Sequence, residues 1–130
     1  MKKKVRNNHD DIYPASSGYV RAIRAGDMLF ISGTTARGTD AQGGPPMEQL
    51  RVVLDRITRI VVAEGGQPSD IVKLTTYVTD RSDFWPFSGP PLEVFDEFFH
   101  GEYPTNALLE ISGLAEDGLV VEIDAIAVLD

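Results

Sequence analysis

One long amphipathic segment between segments of alternating polarity is the feature that most restricts how this chain can fold. From Met47 onward, apolar residues recur at helical spacing, and they comprise Leu50, Val53, Leu54, Ile57, Val61 and Val62. Pro46 stands at the start of this stripe, and Gly65 at its end is suited to a left-handed C-terminal cap. The sequence therefore predicts one helix of about five turns.

Strand patterns surround this helix. Residues Tyr19 to Ser32 are typical of a β-hairpin with its turn at Ala25-Gly26-Asp27. Further strands are predicted in "SDIVKLTTYVTD", near Ala107 to Ile111, and in the terminal "LVVEIDAIAVL". A second helix begins at Pro90-Pro91 and turns Leu92, Phe95, Phe98 and Phe99 inward. The predicted order is β-β-α-β-α-β-β, an α+β fold.

Two helices are too few to cover both faces of such a sheet. We expect them to share one face, so that the other meets water or another chain. Apolar residues on the outward side of the last strand, such as Ile126, favour another chain. The sequence therefore predicts a homo-oligomer.

The 130 residues fit a single domain, which we place at residues 15–130 after a basic and polar leader at residues 1–14. Lys2, Lys3, Lys4 and Arg6 precede polar residues and not an apolar signal core, so we expect a solvated, partly disordered tip. No apolar stretch approaches the roughly 20 residues that span a bilayer. The expectation is a cytoplasmic protein without membrane contact.

The charge distribution argues against nucleic-acid partners. The net charge is −8, and from residue 7 onward eight basic residues face twenty acidic ones, a balance of −12. Such a body repels phosphate backbones. Cysteine is absent, which excludes thiol catalysis and cysteine-ligated metals. No His, Asp or Glu group has metal-ligand spacing, so we expect no metal site.

Few residues are suited to catalysis. We expect His9 to be inert in the leader and His100 to end a helix. Glu122 lies in an apolar strand, where it either faces solvent or occupies a partly buried interface that would raise its pKa. Ser32-Gly33 ends a strand and either punctuates a turn or lets a ligand approach the backbone. Tyr19 could line a pocket or cap the core.

Together these segments resemble one family, the reactive-intermediate deaminases (Rid, YjgF-like), whose members are also called L-PSP endoribonucleases. The resemblance is carried by "SGYVRAIRAGDMLFISGTT", "IVKLTTYVTDRSDF", "FDEFF", "YPTNALLEI" and "VVEIDAIAV", in that order. It implies a chorismate-mutase-like fold, a homotrimer whose sheets form a central barrel, and clefts between subunits. It also implies hydrolysis of enamines or imines to carbonyl compounds and ammonia, without a cofactor.

The resemblance assigns roles to individual residues. It places Tyr19 in the cleft, the Ser32 and Gly33 backbone against the ligand, and Glu122 beside the attacking water. The family arginine that binds the substrate carboxylate corresponds to Asn106, two residues after Pro104. Losing that charged grip would cost about 2–3 kcal/mol, or a roughly 30- to 150-fold higher Michaelis constant.

Three alternatives follow from this asparagine. The substrate lacks a carboxylate, another cation such as Arg37 or Arg21 reaches the cleft, or the protein binds without turnover. The loop at residues 81–91 is also longer than is typical of the family, which would alter the pocket mouth. The leading hypothesis is an imine or enamine deaminase, with aminomuconate-type substrates also possible. The alternative is a non-catalytic small-molecule-binding or stress-protective protein, and ribonuclease activity is disfavoured by the acidic body.

Overall fold

One mixed sheet of six strands carries two α-helices in a computed structural model that describes residues 3–130. The strands are β1 (Lys4–Asn7), β2 (Ala22–Ala25), β3 (Met28–Thr34), β4 (Ile71–Val78), β5 (Thr105–Glu110) and β6 (Val121–Val128). The helices are α1 (Pro46–Ala63), between β3 and β4, and α2 (Pro90–Phe99), between β4 and β5. Apart from β1, this is the predicted order of elements.

The strand order in the sheet is β1-β2-β3-β6-β4-β5. All neighbouring pairs are antiparallel except β4 and β5, which are parallel. The last strand therefore lies at the centre, between β3 and β4. Its central place explains its apolar alternation, because one of its faces packs against the core.

Both helices cover the same face of the sheet, as expected. The inward residues of β6, namely Val121, Ile123, Ala125 and Ala127, are buried with the apolar stripe of α1 and with Val94, Phe95 and Phe99 of α2. This single core fixes which side of each strand points to the helices. The opposite side of β3 and β6 carries half-buried or exposed apolar residues, including Phe30, Ile126 and Val128.

The turns follow the local chemistry of the sequence. Ala25 pairs with Met28, so Gly26-Asp27 forms the two-residue hairpin turn, with Gly26 at φ 64°. At the end of α1, Gly65 has φ 95°, and the Gly66 N–H donates to the Val61 carbonyl at 2.9 Å. This is the predicted left-handed cap of the helix. His100 also ends its helix, α2, as predicted.

The N-terminal segment is exposed, as expected, but it is ordered as a strand and not partly disordered. Residues Lys4–Asn7 form the edge strand β1, which pairs with β2. His9 is buried, and its Nε2 lies 2.6 Å from Glu64 Oε2 at the end of α1. The backbone pairing and this contact anchor the segment. Its four residues include a single apolar one, Val5, so the sequence offers no alternation from which to predict the strand. Lys2 lies outside the described residues.

No helix within residues 3–130 is long and apolar enough to cross a membrane.

Candidate active site

The site begins at an irregularity between β3 and β6. Ile31 pairs with Ala125 and Thr34 pairs with Ile123, so Ser32 and Gly33 together oppose a single residue of β6. Such a bulge re-aims the backbone and commonly lies beside functional sites. Here it brings Gly33 against the side chain of Glu122.

Glu122 occupies the space that a side chain at position 33 would need. A Cβ built on Gly33 would lie 2.8 Å from the Glu122 carboxyl carbon. Glycine therefore allows the carboxylate to rest directly against the strand backbone. Burial of this half-buried group raises the pKa of Glu122, and the nearby Asp124 charge raises it further. Arg21 acts in the opposite direction.

Arg21 supports the bulge from inside the protein and is fully buried, at 0% exposure. Its Nη1 donates to the Gly33 carbonyl at 2.8 Å, and its Nε donates to the Tyr13 carbonyl at 2.7 Å. Its Nη2 is buried and donates to nothing within the described part of the chain. The guanidinium therefore fixes the backbone on which Glu122 rests.

Tyr19 and Ser32 line one open cavity of about 560 Å³, together with Arg6, Val20, Ile23, Phe30 and Ile31. Tyr19 lies before β2, whereas the predicted hairpin began at Tyr19. The Ser32 hydroxyl donates to the Val20 carbonyl at 2.6 Å, which fixes its orientation. Burial would raise the pKa of Tyr19, but Ser16 hydrogen bonding and the Arg21 charge together lower it.

Asn106 lies on the other side of the sheet. It pairs with Leu74 of β4, whose side chain faces the helices, whereas Glu122 pairs with Tyr77 on the opposite face. The Thr76 hydroxyl donates to Asn106 Oδ1 at 2.9 Å. Within one chain, therefore, Asn106 does not meet Glu122, and only a second chain could bring such groups together.

Arg37, which follows β3, lines neither the Tyr19 cavity nor the cavity beside Asn106. Its guanidinium carbon lies 5.5 Å from the Tyr13 ring centre, and its Nη1 is 3.8 Å from Glu116 Oε2. Arg56 lies over the same ring at 3.9 Å and donates to the Arg37 carbonyl at 3.0 Å. Of the two candidate cations, Arg21 is thus the one next to Gly33.

The part of the chain from residue 3 to residue 130 contains no group of three His, Asp or Glu side chains that could hold a metal ion. The acid–base groups beside Gly33 are the carboxyl of Glu122, the carboxyl of Asp124 and the buried guanidinium of Arg21. This set can position water and transfer a proton. The role of Arg21 in holding the bulge was not foreseen, because its burial depends on contacts with residues 8 to 13 positions away.

The Gly33–Glu122 contact yields a first prediction. We expect Gly33→Ala to displace the carboxyl group and to lower by about 10- to 100-fold the efficiency of any reaction in which Glu122 acts, since small displacements at a reacting centre have such effects. Stability should fall little, because a flexible side chain can move away. Gly113→Ala is the matched control, since nothing lies within 4 Å of a Cβ built there. Equal activity losses in the two variants would contradict the prediction.

The mixed sheet with two helices on one face defines a small α+β protein, with a half-buried carboxylate beside a strand bulge. The sequence profile of the family described as Endoribonuclease L-PSP matches residues 10–129, and the chain belongs to this family. The resemblance found in the sequence is thereby confirmed.

The chain is similar to proteins that are named as RutC family members or as reactive intermediate deaminases. The chain is 35% identical over 112 residues to the RutC family protein PH0854 of Pyrococcus horikoshii, covering 84% of this chain and 85% of that protein. It is 34% identical to the Escherichia coli K12 protein named "Putative reactive intermediate deaminase TdcF", covering 85% of each. Relatives thus carry the name of a deaminase that acts on reactive intermediates.

Solved structures confirm the α+β fold. A Pseudomonas aeruginosa protein of unknown function, PA3499, is 31% identical, with a TM-score of 0.87 over 100% of this chain and 95% of that one. RidA from the Antarctic bacterium Psychrobacter sp. PAMC 21119 is 30% identical, with a TM-score of 0.79 over 95% of this chain and 100% of that one. Both matches extend over nearly the whole of either chain.

Proposed function

We propose that this protein is a reactive-intermediate deaminase that hydrolyses an enamine or imine to a carbonyl compound and ammonia. The observation that carries the proposal is the half-buried carboxylate of Glu122 against the Gly33 backbone, beside the cavity of Tyr19 and Ser32. The deaminase name of a relative that is 34% identical supports the same reaction.

The reaction needs only a positioned base and water. Ionised Glu122 accepts a proton from water as the water oxygen bonds to the imine carbon and the C=N pair moves to nitrogen. Glu122 then gives this proton to the nitrogen, which forms a carbinolamine and restores the carboxylate. The carbinolamine transfers its hydroxyl proton to the nitrogen. The C–N bond breaks, the C=O bond forms and ammonia leaves. An imine carbon is already electrophilic, so positioning by Glu122, Tyr19, Ser32 and Gly33 would supply the main acceleration.

A homotrimer would complete this site. The open sheet face carries exposed apolar residues, among them Met28, Phe30, Leu109 and Val128, which favour association with another chain. Asn106 and Glu122 lie on opposite faces of the sheet in one chain. A cleft that uses both would therefore combine Asn106 from one subunit with Glu122 from another.

The direct test is ammonia release from 2-aminoacrylate and its tautomer iminopropionate, generated in the assay. We expect release above the buffer rate, and we expect Glu122→Gln to remove most of it. The proposal fails if neither the natural chain nor a variant with a restored carboxylate grip accelerates release.

That variant, Asn106→Arg, is a prediction in its own right. An arginine would offer two charge-assisted hydrogen bonds to a substrate carboxylate, where asparagine offers a neutral amide. We expect the Michaelis constant for iminopropionate to fall by roughly 30- to 150-fold. Ser88→Arg, which adds the same charge at an exposed loop position, serves as the control. A similar gain in both variants would show that general attraction, and not position 106, is responsible.

A second candidate, binding without turnover, is favoured by one observation. The cavity beside Asn106 is lined by uncharged residues, so no cation there would hold an anionic substrate for reaction. If the protein binds without turnover, we expect saturable ligand binding and no ammonia release. This should hold for Asn106→Arg as well as for the natural chain.

A further inference from the structure

The cavity beside Asn106 has a volume of about 240 Å³ and mostly aromatic or aliphatic walls. We call it the Asn106 pocket, and it is lined by Trp85, Phe87, Leu92, Phe95, Tyr103, Pro104, Asn106 and Leu108. An engineered apolar cavity of about 150 Å³ already binds benzene. The Asn106 pocket therefore has room for a six-membered ring and a short polar substituent.

The walls of this pocket are held by specific contacts. Phe87 and Phe95 meet edge to face, with their ring centres 4.6 Å apart. The Tyr103 hydroxyl donates to Asp96 on α2, which holds this ring at the rim. Trp85, at the other side, is 62% exposed. The pocket is therefore formed within a single chain and remains open to solvent.

The side-chain amide of Asn106 is placed to orient a ligand in the pocket. The Thr76 hydroxyl donates to Asn106 Oδ1 at 2.9 Å, which leaves the Nδ2 hydrogens directed elsewhere. Nδ2 has no hydrogen-bond partner within residues 3–130, and Asn106 is exposed. The pocket thus presents a neutral donor to a ligand acceptor. None of its lining side chains carries a charge, so a carboxylate would lose its hydration without gaining a counter-charge.

We propose that the Asn106 pocket selects an uncharged imine substrate with a ring or similarly bulky apolar substituent, and that it also binds the carbonyl compound formed from that imine. The substituent packs against Trp85 and Phe87, and the Asn106 amide donates to the carbonyl oxygen or imine nitrogen. As a statement about substrate class, this inference rests on the proposed deaminase function. Binding of the carbonyl compound itself requires no turnover and can be measured separately.

The experiment uses Trp85, the only tryptophan of the chain, as a reporter. Its indole N–H gives one signal in a ¹H–¹⁵N NMR spectrum, which is followed during titration with acetophenone, phenylglyoxylate or acetone. Acetophenone has a methyl group on the carbonyl carbon where phenylglyoxylate has a carboxylate. Acetone has the carbonyl group but no ring. We expect a saturable shift with acetophenone, at least about 10-fold weaker binding of phenylglyoxylate and no saturable shift with acetone.

Two variants test the role of position 106. Asn106→Leu should weaken acetophenone binding by about 2- to 10-fold, as expected for one lost neutral hydrogen bond. Asn106→Arg should reverse the order and favour phenylglyoxylate, whereas Ser88→Arg, outside the lining, should preserve it. Circular dichroism verifies that each variant is folded.

The results separate this inference from the proposed function. Tighter binding of phenylglyoxylate to the natural chain would overturn the inference. So would an indole signal that moves with protein concentration but not with acetophenone, because a second copy of the chain would then fill the pocket. Ammonia release from iminopropionate without acetophenone binding would overturn the inference alone. Acetophenone binding without deamination of any imine would overturn the proposed function while leaving the ligand class in place.

Discussion

Glu122→Gln should lower kcat/KM for imine hydrolysis by about 100-fold or more, the range that a positioned general base contributes. Glutamine keeps the shape of the side chain beside Gly33 but cannot accept the proton of the attacking water. Ammonia release measured at several substrate concentrations checks the result. A variant that retains a tenth or more of the activity would exclude Glu122 as the base.

The pH dependence provides an independent check on the same residue. Burial and the Asp124 charge raise the pKa of Glu122. The natural chain should therefore gain activity as pH rises through a value above the usual glutamate range, and this limb should be absent in Glu122→Gln. An unchanged acidic limb in the variant would assign the titration to another group.

The raised pKa of Glu122 should also make the stability of the protein depend on pH. A carboxyl whose pKa is higher in the folded state favours folding below its unfolded pKa and loses this contribution as pH rises through its folded pKa. Glu122→Gln should consequently melt at a higher temperature than the natural chain at neutral pH. The difference should disappear in acid, where both side chains are neutral.

Arg21→Met should be the most destabilising single change considered, with a loss of about 2–4 kcal/mol in the free energy of unfolding. Methionine fills much of the buried volume but leaves the Tyr13 and Gly33 carbonyls without their guanidinium donor. Urea unfolding at equal chain concentrations measures the loss, since association would otherwise shift the apparent stability.

The control for this substitution is Arg59→Met on the exposed side of α1. Among residues 3–130, the partner of Arg59 is Asp55, in a long ion pair of 3.8 Å, and about half of each side chain is exposed. We expect a change within about 0.5 kcal/mol, as for other exposed pairs. If Arg21→Met proved equally mild, the bulge would not depend on the buried guanidinium.

Much of the fold could be predicted because its signals are local. The period of about 3.6 residues defined α1, alternation defined β6, and Gly26 and Gly65 marked a turn and a helix end. The shortage of helices relative to strands also implied one covered face. Strand β1 was missed because an edge strand can be polar on both faces.

The candidate site was predicted only as separate residues. Glu122 could be recognised as a carboxylate within an apolar strand. Ser32-Gly33 could be recognised as the end of a second strand. Their contact depends on β3 pairing with β6, which joins residues about 90 positions apart, and on a bulge that no local pattern signals. The burial of Arg21 has the same origin.

The sequence by itself determined the elements from β2 onward, their order and the neutral amide at position 106, because helix and strand periods and side-chain chemistry are properties of neighbouring residues. Only the tertiary structure decided that Glu122 rests on Gly33, that Arg21 holds the bulge, and that Asn106 faces an aromatic pocket on the other side of the sheet. The physical reason is strand pairing: its partners and register join residues that are distant in sequence, and they assign each side chain to one face.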